Sequence, residues 1–415
     1  MSSSGDPVWR PGPRPGWVQS LHEITRPEWI PLDADAILEE AQARTGLSDF
    51  GGEDFQEPYR IFVDSVDRES QAHPLGRLIA RSDLANWLEN RLELTETRRR
   101  HPEIGAERIE RPLFITGLPR TGTSILHELL AQDPDHRVPE HWEVRHPCPP
   151  PERASYASDP RIARAERQVQ LWNHIVPEYE TMHELGARLP VECIQITAHS
   201  FVSDELLGRH QVPSYAAWVA QADLRPAYAF HRFFLQHLQW RCPGERWVLK
   251  APSHLGALAT LLAVYPDARI VVTHRDPLKV LPSVASILYS TAFVRSDAID
   301  PAEVLDWFTP ETCLALLDGM SALRDGGGIA PEQIVDVRYQ DLMERPLETL
   351  GSVYDHFGLA FSETAASRMR GYLEGKPRHK HGAHRYAFDD TGLVAGAERE
   401  RFRRYQERYG VPSEV

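Results

Sequence analysis

Apolar positions along this chain recur with two different periods. From about Ile37 to Ile104 they fall at helical spacing, and Leu84, Trp87, Leu88, Leu92 and Leu94 share one face of a helix that Ser82 or Asp83 is expected to cap. The texture changes at Pro112. Leu113-Phe114-Ile115-Thr116 is a short apolar run ending in a glycine-rich turn, and Ile125, Leu126, Leu129 and Leu130 then mark one face of a helix. Three later runs, Trp247 to Leu249, Arg269 to Thr273 and Ile334 to Val337, are again short and apolar, with helical segments between them. This alternation predicts an α/β fold with a central parallel sheet and helices on both faces. Ligands in such sheets sit at the carboxyl ends of the strands, so chemistry is expected directly after each run.

The segment from Arg145 to Arg241 reads as mainly helical and is rich in aromatic residues, among them Trp172, Tyr179, Phe201, Tyr215, Trp218, Tyr228, Phe233, Phe234 and Trp240. Most are expected in the core of a helical insert, and a minority in an acceptor pocket. The organisation expected is a helical N-terminal lobe over residues 1–105 and a sheet domain over 106–415, with the insert at about 145–241.

Composition narrows the partners. Over 415 residues, 41% are hydrophobic and 26% charged, as in an ordinary globular protein. A formal charge of −14 argues against a nucleic-acid groove. Cys148, Cys193, Cys242 and Cys313 form no Cys-x-x-Cys pair, so reduced thiols are expected rather than a zinc site or a disulfide framework. Met1 to Trp17 contains no apolar run of the kind a signal peptide needs, and Leu255 to Val264 is too short to span a bilayer. A cytoplasmic location is the expectation.

The most informative segment is Gly117-Leu118-Pro119-Arg120-Thr121-Gly122-Thr123-Ser124. A strand precedes it and an amphipathic helix follows, which is the setting of a phosphate cradle: main-chain N–H groups converge on an anion at the positive end of a helix. Gly117 and Gly122 have the spacing of the nucleoside-triphosphatase loop, but Thr123 stands where that loop carries lysine. The cation here is Arg120, inside the turn. The fold implied is a P-loop-type three-layer α/β fold.

A loop of this kind without the lysine resembles the 5′-phosphosulfate loop of the sulfotransferases. Trp247-Val248-Leu249-Lys250-Ala251-Pro252-Ser253-His254 is similar to the strand of that superfamily that carries a catalytic lysine and, in cytosolic members, a histidine base. Thr273-His274-Arg275-Asp276-Pro277 with Ser283 is similar to its 3′-phosphate site, and Arg338-Tyr339-Gln340-Asp341-Leu342 to the segment whose tyrosine packs near adenine. These motifs stand in the family's order, and their wording is closest to the large bacterial branch. The resemblance implies 3′-phosphoadenosine-5′-phosphosulfate as co-substrate, no metal, and a small hydroxylated acceptor, which the aromatic insert suggests is apolar.

Sulfuryl transfer requires in-line positioning and charge stabilisation rather than covalent catalysis. Arg120 and Lys250 are the residues expected to neutralise the 5′-phosphate and the departing oxygen. Thr121, Gly122, Thr123 and Ser124 are expected to cradle that phosphate, with Arg275 and Ser283 on the 3′-phosphate and Tyr339 near the base. Ser283 is expected near the start of the helix after Arg275, where Asp276 is a cap candidate and Pro277 a first residue. Lys376, Arg378, His379, Lys380 and His381 form a basic loop that reads either as a solvated charge run or as a lid over the 3′-phosphate. Two sets of residues compete for the role of general base. His254 is one, with Ser253 as the cap that puts it at the positive end of a helix. The other is the cluster Glu140-His141-Trp142-Glu143, at about the position where tyrosylprotein sulfotransferases place a base glutamate, with Glu143 slightly ahead within it. His183 and Glu192 are further candidates that read as structural. The competing functions are a P-loop small-molecule kinase using ATP and Mg²⁺ and a non-catalytic nucleotide-binding protein of the same fold.

Overall fold

Residues 11–300, 304–376 and 386–415 are described by the computed structural model. Before the first strand stand helices α1 (Ala34–Thr45), α2 (Gln56–Arg68) and α3 (Pro74–Arg100). The last of these starts earlier than expected. His73 Nδ1 accepts from Gly76 N (2.9 Å) and Pro74 supplies the first residue, so neither Ser82 nor Asp83 is a cap. Asp83 lies within α3 and is buried. Its carboxylate receives Arg145 Nη1 at 2.8 Å, Arg209 Nη1 at 2.9 Å and Arg295 Nη2 at 3.5 Å. Burial alone would raise its pKa, but the three guanidiniums hold it below the usual carboxylate range. One side chain thereby ties the N-terminal helices to three later segments. The apolar core of these helices is shared in the same way, with Phe55, Phe62, Leu84 and Leu88 packed against Phe201 and Tyr215 of the insert.

The sheet is wholly parallel, with strands β1 (Leu113–Gly117), β2 (His136–Arg137), β3 (Arg246–Lys250), β4 (Arg269–His274) and β5 (Ile334–Arg338) in the order β2-β3-β1-β4-β5. Four of these strands coincide with the apolar runs of the sequence. The fifth, β2, has two residues, both polar, and carries no periodic signal. Alternate residues of β1 and β4 enter different apolar clusters. Leu113, Ile115 and Val271 pack with Leu126, Leu129 and Leu130 of α4 (Thr123–Leu130), while Ile270 and Val272 pack with Leu278 and Leu281 on the opposite face. Burial on both faces is why these strands read as unbroken apolar runs rather than as alternation.

Register decides what meets at the carboxyl edge. Ile115 of β1 lies beside Lys250 of β3 and Val271 of β4, so the segments following Gly117, Lys250 and His274 emerge side by side. The insert supplies α5 (Pro160–Ile175) and α6 (Arg225–Gln239), and α7 (Pro277–Phe293) follows β4. The helices α8 (Glu363–Gly375) and α9 (Ala395–Tyr409) are the last two α-helices among the described residues. Among the described residues no helix is long and apolar enough to cross a membrane.

Candidate active site

The loop after β1 is built for close approach. Gly117 has φ +141°, and a Cβ there would lie 2.4 Å from the Thr273 carbonyl oxygen, so no side chain fits between β1 and β4. Gly122 has φ +92°, with the Tyr339 ring 3.1 Å from the place a Cβ would take. The Thr121 hydroxyl is buried 2.6 Å from both Leu118 O and Thr273 Oγ1, which fastens the loop to β4. Contrary to expectation, that side chain faces the loop's interior and not a ligand. Thr123 and Ser124, in the first turn of α4, line the cleft at the helix end where main-chain N–H groups lack intrahelical partners.

Arg120 sits at the centre of this loop with φ +65°, a conformation that side chains adopt only when their surroundings hold them there. Its Nε donates to Ser283 Oγ (3.1 Å) and its Nη1 to Met182 O (3.1 Å). Among the described residues no carboxylate pairs with it. Desolvation lowers its pKa, the sign of a cation held without a matching charge.

Arg275, just past β4, donates from Nη1 to Arg120 O (3.0 Å) and lies 3.8 Å above the Tyr339 ring centroid. Its remaining donors are engaged by Glu414, Nε to Oε1 at 2.9 Å and Nη2 to Oε2 at 2.8 Å. The fork expected to hold a phosphate is thus filled by a carboxylate of the chain itself. Asp276 caps α7, its Oδ1 accepting from Leu278 N (3.1 Å), and Pro277 is the first residue. Ser283 lies well inside that helix and not near its start; it is buried, does not line the cavity, and its hydroxyl accepts from Arg120 instead.

Lys250 ends β3 and is only 2% exposed. Its ammonium touches Ser124 Oγ (3.3 Å) and, more closely, the carboxylate of Glu192, a residue the sequence reads as structural. Gly122, Thr123, Ser124, Arg120, Lys250, Arg275 and Tyr339 all line one cavity of ≈ 1210 Å³, larger than the ~300–1,000 Å³ typical of a single small-molecule site. Helix α3 contributes Leu75, Leu78 and Ile79 to its apolar walls, and of the insert's aromatic residues Trp172, Tyr179 and Tyr228 reach it. A second cavity of ≈ 370 Å³ shares Arg275 and Tyr339.

The base candidates fare differently. Glu143 is 0% exposed, bonded to Arg137 Nη1 (3.1 Å) and Nη2 (2.9 Å) and to Glu140 N (3.0 Å), and does not line the cavity. It is a buried ion-pair partner and helix-capping residue, out of reach of any acceptor. Glu140 is likewise turned away, accepting from Trp142 Nε1 (2.8 Å). His254 lines the cavity, 2% exposed, with Nδ1 2.6 Å from the Tyr228 hydroxyl. Burial, more than the neighbouring His231 and Lys250, keeps its pKa well below the ordinary histidine value. No Ser253 cap is involved, because Pro252–Ala257 is a 3₁₀ turn whose cap position is Ala251. His183 also lines the cavity, its Nδ1 3.0 Å from Glu184 O. Lys380, with Arg378, His379 and His381, lies outside the described residues. Lys376 is described and bonds Glu128 Oε2 (2.6 Å) on α4.

The model of the sulfotransferase family matches residues 112–363, which contain all five strands. The crystal structure of sulfotransferase STF1 from Mycobacterium tuberculosis superposes with a TM-score of 0.78 at 32% identity, covering 91% of this chain and 99% of that one. Sulfotransferase STF9 from Mycobacterium avium gives 0.82 at 28% identity, covering 92% and 98%. The omega-hydroxy-beta-dihydromenaquinone-9 sulfotransferase Stf3 of Mycobacterium bovis is 26% identical over 296 residues, 68% of this chain and 72% of that protein.

Proposed function

The chain belongs to the sulfotransferase family, and from that premise we propose that it moves the sulfuryl group of 3′-phosphoadenosine-5′-phosphosulfate onto the hydroxyl of an apolar, lipid-like acceptor. The observation that carries this reading is a single cavity with the phosphate loop, Arg120, Lys250 and Arg275 at one end and apolar side chains over much of the rest. The residues fit a nucleotide bearing two separate phosphates. A cradle that a Cβ would block and a guanidinium without a carboxylate partner suit the 5′-phosphate. Arg275, which donates to Arg120 O across the loop, suits the 3′-phosphate once Glu414 moves aside, and Tyr339 suits the base.

The donor supplies a sulfuryl group whose bond to the 5′-phosphate is the one to be broken. Lys250, held against Ser124, is placed to meet charge that develops on the departing oxygen, and Arg120 to meet the phosphate behind it. Apolar walls from α3 and the insert keep water from competing with the acceptor. The relative named for a hydroxylated dihydromenaquinone supports an acceptor of this class. Four free cysteines suit a cytoplasmic enzyme.

Thermal unfolding with adenosine 3′,5′-bisphosphate and separately with ATP and Mg²⁺ tests the donor. Stabilisation by the bisphosphate is expected, followed by sulfate transfer to long-chain alcohols or phenols in preference to sugars. Stabilisation by ATP and Mg²⁺ alone, or transfer only to sugars, contradicts the reading.

A further inference from the structure

Transfer to a hydroxyl leaves a proton to be removed, and the cavity-lining carboxylate in contact with Lys250 is Glu192. It precedes the short helix Cys193–Thr197, on extended backbone with φ −75° and ψ 148°. Two hydrogen bonds fix this stretch against the segment after the phosphate-loop helix: Val191 N donates to Pro139 O (2.9 Å) and His141 N to Leu189 O (3.1 Å). From this anchored position its side chain enters the cavity and pairs with Lys250, which in turn touches Ser124 of the loop. The other carboxylates on the cavity wall are committed elsewhere: Asp83 and Glu205 to arginines, Glu128 and Glu184 to Lys376. Asp204 also lines the cavity but touches neither Lys250 nor the loop.

We propose that Glu192 is the general base of this enzyme, an assignment that rests on the sulfotransferase reading above. With the donor bound, its phosphates draw the Lys250 ammonium away from Glu192 and leave a carboxylate oxygen facing the acceptor hydroxyl. The O–H proton passes to Glu192 as the acceptor oxygen bonds to sulfur. The bond from sulfur to the 5′-phosphate oxygen breaks, its electron pair stays on that oxygen, and Lys250 stabilises the charge. The products are a sulfate ester, adenosine 3′,5′-bisphosphate and a proton that Glu192 later releases to solvent. Exchange of one ammonium between two anions thus couples donor binding to release of the base.

The test compares the full-length wild type with Glu192→Gln, Asp204→Asn and His254→Asn on two acceptors, a long-chain alcohol and an acidic nitrophenol that ionises unaided. For Glu192→Gln, kcat on the alcohol is expected to fall about 10²–10⁴-fold, the usual range for loss of a general base. The deficit on the nitrophenol should be under about tenfold, with the Kd for adenosine 3′,5′-bisphosphate changed less than about threefold. An equal deficit on both acceptors overturns the proposal and makes Glu192 a positioning residue for Lys250. So does an acceptor-dependent deficit that appears in Asp204→Asn or His254→Asn but not in Glu192→Gln. If Glu192→Gln does not fold, Glu192→Asp must show the same acceptor ordering, and its absence counts against the proposal. Failure of the wild type to bind the bisphosphate or transfer sulfate is a separate result that defeats the donor assignment itself.

Discussion

Arg120 and Lys250 line the same cavity with different resources. A guanidinium keeps its charge when half-buried and offers a fork, whereas an ammonium is a compact charge that can change partners. Lys250 touches both Ser124 and Glu192, and on the proposed reading its loss removes a donor to the departing oxygen. Lys250→Ala is expected to lower kcat about 10²–10³-fold, on the order of 3–4 kcal/mol, with the bisphosphate Kd little changed, as measured by steady-state kinetics and calorimetry. Glu414 predicts the opposite sign. Its carboxylate fills the Arg275 fork, so on the proposed reading a bound nucleotide displaces it. A half-exposed ion pair contributes about 0.2–1 kcal/mol, and Glu414→Ala should therefore tighten bisphosphate binding by a factor of about 1.5–5. Weaker binding would mean that Glu414 orients Arg275 instead. The residues whose placement was legible in sequence were those at or just after a strand end: Arg120, Lys250 and Arg275, which share one cavity. Glu143 misled because its partner, Arg137, is an ordinary arginine six positions away whose burial no local pattern announces.

At the level of elements, the turn from β1 into α4 has the tightest constraints. Its two glycines occupy backbone that side chains rarely adopt, and Gly117 also lies against the β4 backbone. Gly117→Ala must part β1 from β4 or distort the loop. We expect loss of bisphosphate stabilisation in thermal unfolding, with any folded protein inactive, whereas a wild-type response would show the cradle to be elsewhere. The strand runs were legible because they are apolar on both faces, and the loop because glycine spacing is a local property. Helix α3 was legible in its middle and not at its start, since a histidine accepting from Gly76 N is an uncommon cap. The strand β2 was invisible, being two polar residues that pair with β3 only once the sheet exists.

For the whole molecule, burial of histidine sets the response to acid. Of 19 histidines, His127, His199 and His231 have pKa values pushed down to about 3 and His237 to about 4, from an ordinary 6.5, all chiefly by burial. The folded state holds them neutral, and the unfolded chain protonates them below about pH 6.5. The unfolded state therefore binds more protons through this window, so stability is full above pH 6.5 and falls as pH drops toward 4. Each such histidine costs about 1.36 kcal/mol per pH unit, so together they rival the ~5–15 kcal/mol of a typical fold near pH 5. Tm is expected to fall steeply between pH 7 and 5. Glu140, whose pKa burial and then Glu143 raise to about 7, opposes this by favouring folding below that pH, and a flat Tm profile would mean that such carboxylates dominate. By itself the sequence determined the layered α/β architecture, the phosphate loop and the cations at its strand ends, because short-range periodicity and glycine placement encode them. Tertiary structure alone decided that N-terminal helices and insert share a core and wall the cavity, that Asp83 joins four segments, and that Glu192 meets Lys250 from 58 residues away. Those contacts depend on how elements stack, and a side chain's partner across a fold leaves no mark on its neighbours in the chain.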